Sequence, residues 1–234
     1  MKIAVMQPYI FPYLGYFQLI GAVDLFVFYD DVNFIKGGWI NRNKILGNPN
    51  PISFVVPLDN GSSFKFISET RIKEAFYSKW KKNFLLTISH VYKKAPYFSI
   101  IYNLIDEVLG NDFIYISELS TASILGVCRY LNLEKKFIIS SVGYSNTELS
   151  RNERLVDIIN IEGVTHYINP VGGIELYKKD YFSLRGIKLN FLEPVIMEYK
   201  QFNKEFTPSL SIIDILMFND KEKVREMIAM NKLI

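Results

Sequence analysis

An adjacent pair of carboxylates, Asp30 and Asp31, closes the apolar run Leu25–Tyr29. Neighbours on an extended backbone point to opposite sides, so at most one of the two faces a given site. A carboxylate placed there can accept hydrogens from sugar or ribose hydroxyls or from an amine, or it can ligate a metal. A solvated turn would use the same pair. Lys36, Trp39, Asn41 and Arg42 follow within a dozen residues. A guanidinium and an amide near a carboxylate suit a phosphorylated or nucleotide-linked substrate, and an indole can stack on a base or a sugar ring. Gln7 and Pro8 come directly after the apolar run Lys2–Met6. His166 begins the run His166–Asn169, ahead of Pro170-Val171-Gly172-Gly173. It is a candidate general base, and a packed histidine at the core edge is the blander account. Asn169 ends that run and is a candidate ligand contact. Ser150-Arg151-Asn152, with Arg154, forms another polar cluster before an apolar helical pattern. It could grip phosphates, or it could simply cap a helix.

These residues need elements to hold them. Lys2–Met6 reads as a buried strand, and Pro8 and Pro12 keep the next residues from being helical. Leu14, Phe17, Leu19 and Ile20 give a short helix ending near Gly21. Leu25–Tyr29 is the second strand, so the opening is a strand–loop–helix–strand unit. Its helix start would favour an anion. Ile52–Leu58 reads as a third strand and Phe64–Ile72 as a weaker one. Residues 74–94, 97–109 and 116–132 carry helical periodicity, broken at Pro96 and Gly110. Phe137–Ser141 returns to a strand pattern. Ser150, with Glu153 three residues on, matches a capping box. His166–Asn169 and Ile187–Leu192 read as strands, 175–184 as a helix, and 209–218 and 221–230 as closing helices. Asp214, early in the first of these, fits a residue that complements the helix dipole. The expected architecture is one α/β domain over residues 1–234, with a Rossmann-like, mostly parallel sheet and a helical middle at about 74–132. Ligands of such sheets meet the carboxyl ends of the strands.

Composition narrows the functional classes. The chain has 234 residues, 49% hydrophobic and 22% charged, enough apolar surface for a sizeable core. A net charge of +3 with dispersed lysines gives no footprint for nucleic acid. One cysteine, Cys128, excludes an internal disulfide and sits in an apolar pattern as a buried thiol. Two histidines and the absence of CxxC or HExxH spacing leave no metal-ligand set. There is no Walker A or GxGxxG motif. No run reaches the roughly 20 apolar residues of a membrane span, and the N-terminus lacks a signal-peptide pattern. The expected setting is the cytoplasm, without membrane insertion.

The opening MQPYIFPYLGYFQLI, continued by AVDLFVFYDDVNFIKGGWINRNKI, resembles the start of the WbqC-like protein family. Trp80, Tyr92–Phe98, Thr165–Asn169 and Pro208–Asp214 extend the resemblance along nearly the whole chain. It implies a role in bacterial surface-polysaccharide (O-antigen) synthesis, with transfer of glycine or another amino acid to a sugar. It carries over no catalytic residue set. The strand–loop–helix–strand opening is also similar to adenylate-forming nucleotidyltransferases of the HIGH-motif type. Ser150-Arg151-Asn152 is similar to the serine–arginine phosphate loop of pantothenate-synthetase-like enzymes. The two histidines of that class are replaced here by Tyr13-Leu14-Gly15-Tyr16, so phosphate charge would need Lys36, Arg42 or Arg151.

The expected activity is therefore acyl or aminoacyl transfer to a nucleotide-linked amino sugar. Asp30, Asp31 and His166 are its catalytic candidates. Gln7, Pro8, Lys36, Trp39, Asn41, Arg42, Ser150, Arg151 and Asn169 are candidate substrate contacts. ATP with magnesium is the open cofactor question, and enzymes of the same pathway are candidate partners. Two rival expectations are ATP-dependent nucleotidyl transfer and a non-catalytic sugar-binding scaffold.

Overall fold

A computed structural model describes residues 1–234. The main sheet is built from β1 (Lys2–Met6), β2 (Leu25–Phe28), β5 (Lys136–Ile139), β6 (His166–Pro170), β7 (Lys188–Pro194) and β8 (Asn231–Leu233). Their spatial order is β5-β2-β1-β6-β7-β8, parallel throughout except for the last strand. The chain therefore starts in the middle, grows to one side, and then returns across β1 to grow to the other. This is the Rossmann strand order, and its reversal point lies between β1 and β6.

Alternation along the strands decides which layer covers each face. Ile3, Val5, Leu25, Val27, Tyr167, Leu189 and Phe191 point to one side and pack on Leu155, Ile158, Ile159 and Phe182. Those partners belong to α6 (Arg151–Ile161) and α7 (Lys179–Ser183). Ala4, Phe26, Phe28, Ile168 and Leu192 point to the other side, into a larger core. That core is shared by α1 (Leu14–Ala22), α2 (Glu74–Tyr92), α3 (Phe98–Leu109), α4 (Ile116–Tyr130), α8 (Ile212–Phe218) and α9 (Lys221–Ala229). Phe28 and Phe137 stack with ring centroids 5.6 Å apart, joining β2 to β5 on this face. Cys128 is buried there, and burial pushes its thiol up to about 12. No helix is long and apolar enough to cross a membrane.

Several elements depart from the sequence pattern. Ile52–Leu58 does not enter the main sheet. Its first part is β4 (Ile52–Val55), which pairs antiparallel with β3 (Arg42–Ile45) in a separate hairpin. The third strand of the main sheet is β5, which follows the helical middle. Phe64–Ile72 is no strand but contains a single 3-10 turn at Ile67–Glu69, anchored by buried Ile67. The helix expected at 175–184 is only Lys179–Ser183. A four-residue helix, α5 (Ser140–Gly143), follows β5.

Candidate functional site

At the tip of β1 the chain enters an irregular segment that is held by side chains from three other regions. The Ile10 N–H donates to the Ile40 carbonyl at 3.1 Å, and the Phe11 N–H donates to Ser123 Oγ at 2.9 Å. The Phe11 carbonyl accepts from Asn43 Nδ2 and Ser211 Oγ, each at 2.7 Å. Phe11 is buried with φ of 40°, which a bulky residue adopts only when its surroundings over-determine it. Gln7 is half-buried. Its carbonyl accepts from the Tyr16 hydroxyl at 2.9 Å, and Pro8 beside it is buried. The amino end of α1 is not open to an anion. The Tyr13 ring lies across Gly15 so closely that a Cβ there would meet it at 2.6 Å. The anion-binding helix start expected after β1 is thus covered by an aromatic ring.

The carboxylate pair after β2 is buried on both counts. Asp30 accepts from the Ser141 N–H at 2.9 Å and from Ser141 Oγ at 2.7 Å, which ties the end of β2 to α5 after β5. Burial pushes the Asp30 carboxyl above the usual carboxylate range, and the Ser141 bonds partly offset this. Asp31 turns instead to Arg154, whose guanidinium pairs with Asp31 Oδ2. Arg154 also donates to the Asp31 carbonyl at 2.9 Å and to Asn146 Oδ1 at 2.8 Å. Asn146 Nδ2 in turn donates to Asp157 at 2.7 Å. The guanidinium lies over the Tyr29 ring, 4.7 Å from its centroid. Asp31 Oδ1 is buried without a hydrogen-bond partner. Leaving such an acceptor unmade costs on the order of 1–3 kcal/mol, so its persistence points to a donor supplied from outside.

The remaining candidates divide by position. Asn169, at the end of β6, is buried. It accepts from the Tyr167 hydroxyl at 2.8 Å and donates to the Pro170 carbonyl at 3.0 Å. Gly173 is required beside it, since a Cβ there would sit 1.9 Å from Asn169 Nδ2. Ser150 and Arg151 start α6, which begins on the carboxyl side of the sheet because it returns the chain to β6. The Ser150 hydroxyl donates to the Glu153 carboxylate at 2.6 Å, as in the expected capping box, while Arg151 is exposed. Asn41 faces inward and donates to the Val56 carbonyl at 3.0 Å. Arg42 on β3 is half-buried, with its Nε unpartnered. Lys36 and Trp39 are exposed on the loop beyond Asp31, and no hydrogen bond or ion pair joins their side chains to the carboxylates. His166 sits at the amino end of β6, level with Lys2 and Lys188, where its Nε2 meets Asn190 Oδ1 at 2.9 Å. Four strand steps of about 3.3 Å separate it from the carboxyl end of β6. The structure does not bring it to Asp30 and Asp31.

The carboxyl ends of β1, β2, β5 and β6 therefore gather Gln7, Asp30, Asp31, Ser141, Arg154 and Asn169. Arg154 appears in the sequence as one of several charges in a polar run. Its buried role is signalled only by its place next to Leu155 on the apolar stripe with Ile158 and Ile159. Asn146 and Ser141 carry no local signal. A second buried carboxylate, Asp214, is far more than a dipole-complementing residue. It accepts from Tyr92 at 2.7 Å, Tyr199 at 2.5 Å and Gln201 at 2.7 Å. Burial pushes its carboxyl up against the pull of those three donors.

Strand order and crevice together define an α/β protein of the Rossmann type, with polar chemistry at the switch point. Residues 7–226 match the WbqC-like protein family, and the chain belongs to that family. It is 27% identical over 218 residues to the uncharacterized protein Rv1507c of Mycobacterium tuberculosis (strain ATCC 25618 / H37Rv), covering 92% of each chain. No solved structure matches the chain significantly.

Proposed function

We propose that this protein transfers an acyl or aminoacyl group to the amine of a nucleotide-linked amino sugar in surface-polysaccharide synthesis. The observation that carries the reading is the orphaned Asp31 Oδ1, held beside Arg154 at the carboxyl end of β2. An amine approaching it supplies the missing donor. As the amine nitrogen attacks the acyl carbon, Asp31 takes the proton, and the bond from the acyl carbon to the leaving thiolate or adenylate oxygen breaks. Asp31 is free for this role because Arg154 occupies only Oδ2, whereas Ser141 engages both oxygens of Asp30. Asp30 thus positions the β2 end. Arg151 and Arg42 are the cations available to the sugar-nucleotide phosphates, and Gln7 and Asn169 frame the crevice between β1 and β6.

The donor is either a thioester or an acyl adenylate made from ATP. The Tyr13 ring over the start of α1 and the missing histidine pair favour the thioester, because both remove the phosphate grip expected of a HIGH-type enzyme. The test is a mass-spectrometric assay of UDP-linked amino sugars with acyl-CoAs, and separately with amino acids plus ATP and magnesium. Product mass equal to the amide is expected, with a loss of 10²-fold or more in Asp31→Asn. Binding of the nucleotide sugar without any product would establish a binding protein instead. Full turnover by Asp31→Asn would remove the base assignment.

A further inference from the structure

Three segments at the carboxyl side of the sheet carry exposed apolar side chains that no part of the fold covers. The first, residues 32–39, presents Ile35 and Trp39, 50% and 46% exposed. The second, residues 61–66, presents Phe64 at 94%, and the third, the turn of α5, presents Val142 at 84%. Backbone bonds place the first two side by side. The Phe34 N–H donates to the Lys65 carbonyl at 2.9 Å, and Asn33 bridges Phe66. The third is fastened to the same place through Ser141, the neighbour of Val142, which donates to Asp30, while the Asp30 carbonyl accepts from the Ser68 N–H. The charge here is one-sided. Residues 32–39, 61–66 and 140–145 contain Lys36 and Lys65, both exposed, and no carboxylate.

We infer that this edge is a peripheral docking surface for an anionic lipid bilayer. Aromatic and aliphatic tips that project past their own backbone enter the headgroup region, and the flanking lysines meet the phosphates. Neither polar recognition of a small sugar nor packing within the chain explains a phenylalanine left almost wholly in water, since ring burial is its main source of stabilisation. Charge complementarity selects the partner: two lysines without a compensating acid disfavour a second copy presenting the same face. The docked edge is also the one at which the strand ends open, so the crevice would face the membrane. This surface does not depend on the acyl-transfer reading.

The test is co-sedimentation of the full chain with vesicles of phosphatidylcholine alone or mixed with phosphatidylglycerol. Binding to the anionic vesicles only is expected, weakening as salt is raised. Phe64→Ser with Val142→Ser should abolish it, and Lys36→Gln with Lys65→Gln should lower partitioning about fivefold per lysine. Leu184→Ser is the matched control, because Leu184 is 86% exposed at the opposite edge, ahead of β7. Melting temperatures of all variants establish that they are folded. Absence of binding to anionic vesicles, or equal loss in the Leu184→Ser control, overturns the inference. So does a dimer in sedimentation analysis that Phe64→Ser dissolves.

Discussion

The two ends of the main sheet are built on different terms. At the amino end, polar contacts are local and wet. His166 meets Asn190, the Lys2 N–H meets the Asp24 carboxylate at 2.7 Å, and Lys136 pairs with Glu162 at 2.8 Å. Exposed pairs of this kind contribute about 0–1 kcal/mol each. At the carboxyl end the charges are buried. Asp31, Arg154, Asn146 and Asp30 form a chain of contacts, and Phe11 is held in a left-handed conformation by Asn43 and Ser211. Buried ion pairs seldom stabilise a fold more than well-packed apolar groups of the same volume would. Their confinement to one end of the sheet is what a site looks like when stability alone has not chosen the residues.

The contrast can be broken most sharply at Arg154. Arg154→Ala leaves Asp31 buried without its cation and should cost about 3–5 kcal/mol, read from urea unfolding. Next is Gly173→Ala, which must displace the Asn169 side chain and should cost about 1–3 kcal/mol, with a local change near Tyr167 in amide or aromatic NMR shifts. Asp30→Asn sharpens the comparison through pH. The Asp30 carboxyl is raised above 3.8 by burial, so the folded state holds that proton longer than the unfolded chain does. Its contribution is full below about pH 3.8 and declines as pH rises through the folded value. The asparagine variant should therefore gain on wild type as pH climbs above about 4, in paired melting curves. Smallest is His166→Gln, which disturbs one half-buried hydrogen bond and should cost about 0.5–1.5 kcal/mol. Acyl transfer should be unaltered in this variant. A large loss of turnover with an unchanged melting temperature would return His166 to the chemistry.

Much of the frame was legible in the chain itself. The strand–helix–strand opening, the helical middle and the strand before Pro170 follow from apolar period and punctuation. Ile52–Leu58 misleads because a short β-branched run is the same in a surface hairpin as in a central strand. The partner that decides, β5, lies beyond three helices. Asp30 and Asp31 stand out because acids rarely close a buried run. Their partners do not, since Ser141, Asn146 and Arg154 reach them only through the return of the chain from β5 to α6. His166 looked suited to catalysis because a strand's residues are close in sequence. Its two ends, however, open onto opposite sides of the sheet.

The strand order also sets a timetable. β1 leaves the ribosome first, yet one of its two neighbours is β6, with Lys2 beside His166. β2 likewise waits for β5 while hairpin and helices are made between them. Closing such long loops delays the reward of pairing, and folds dominated by distant contacts assemble slowly. During that interval the Val-, Ile- and Phe-rich edges of β1 and β2 are open to other chains. Expression at lower temperature, or with chaperones in excess, should raise the soluble yield of this protein more than that of a helical bundle of equal length.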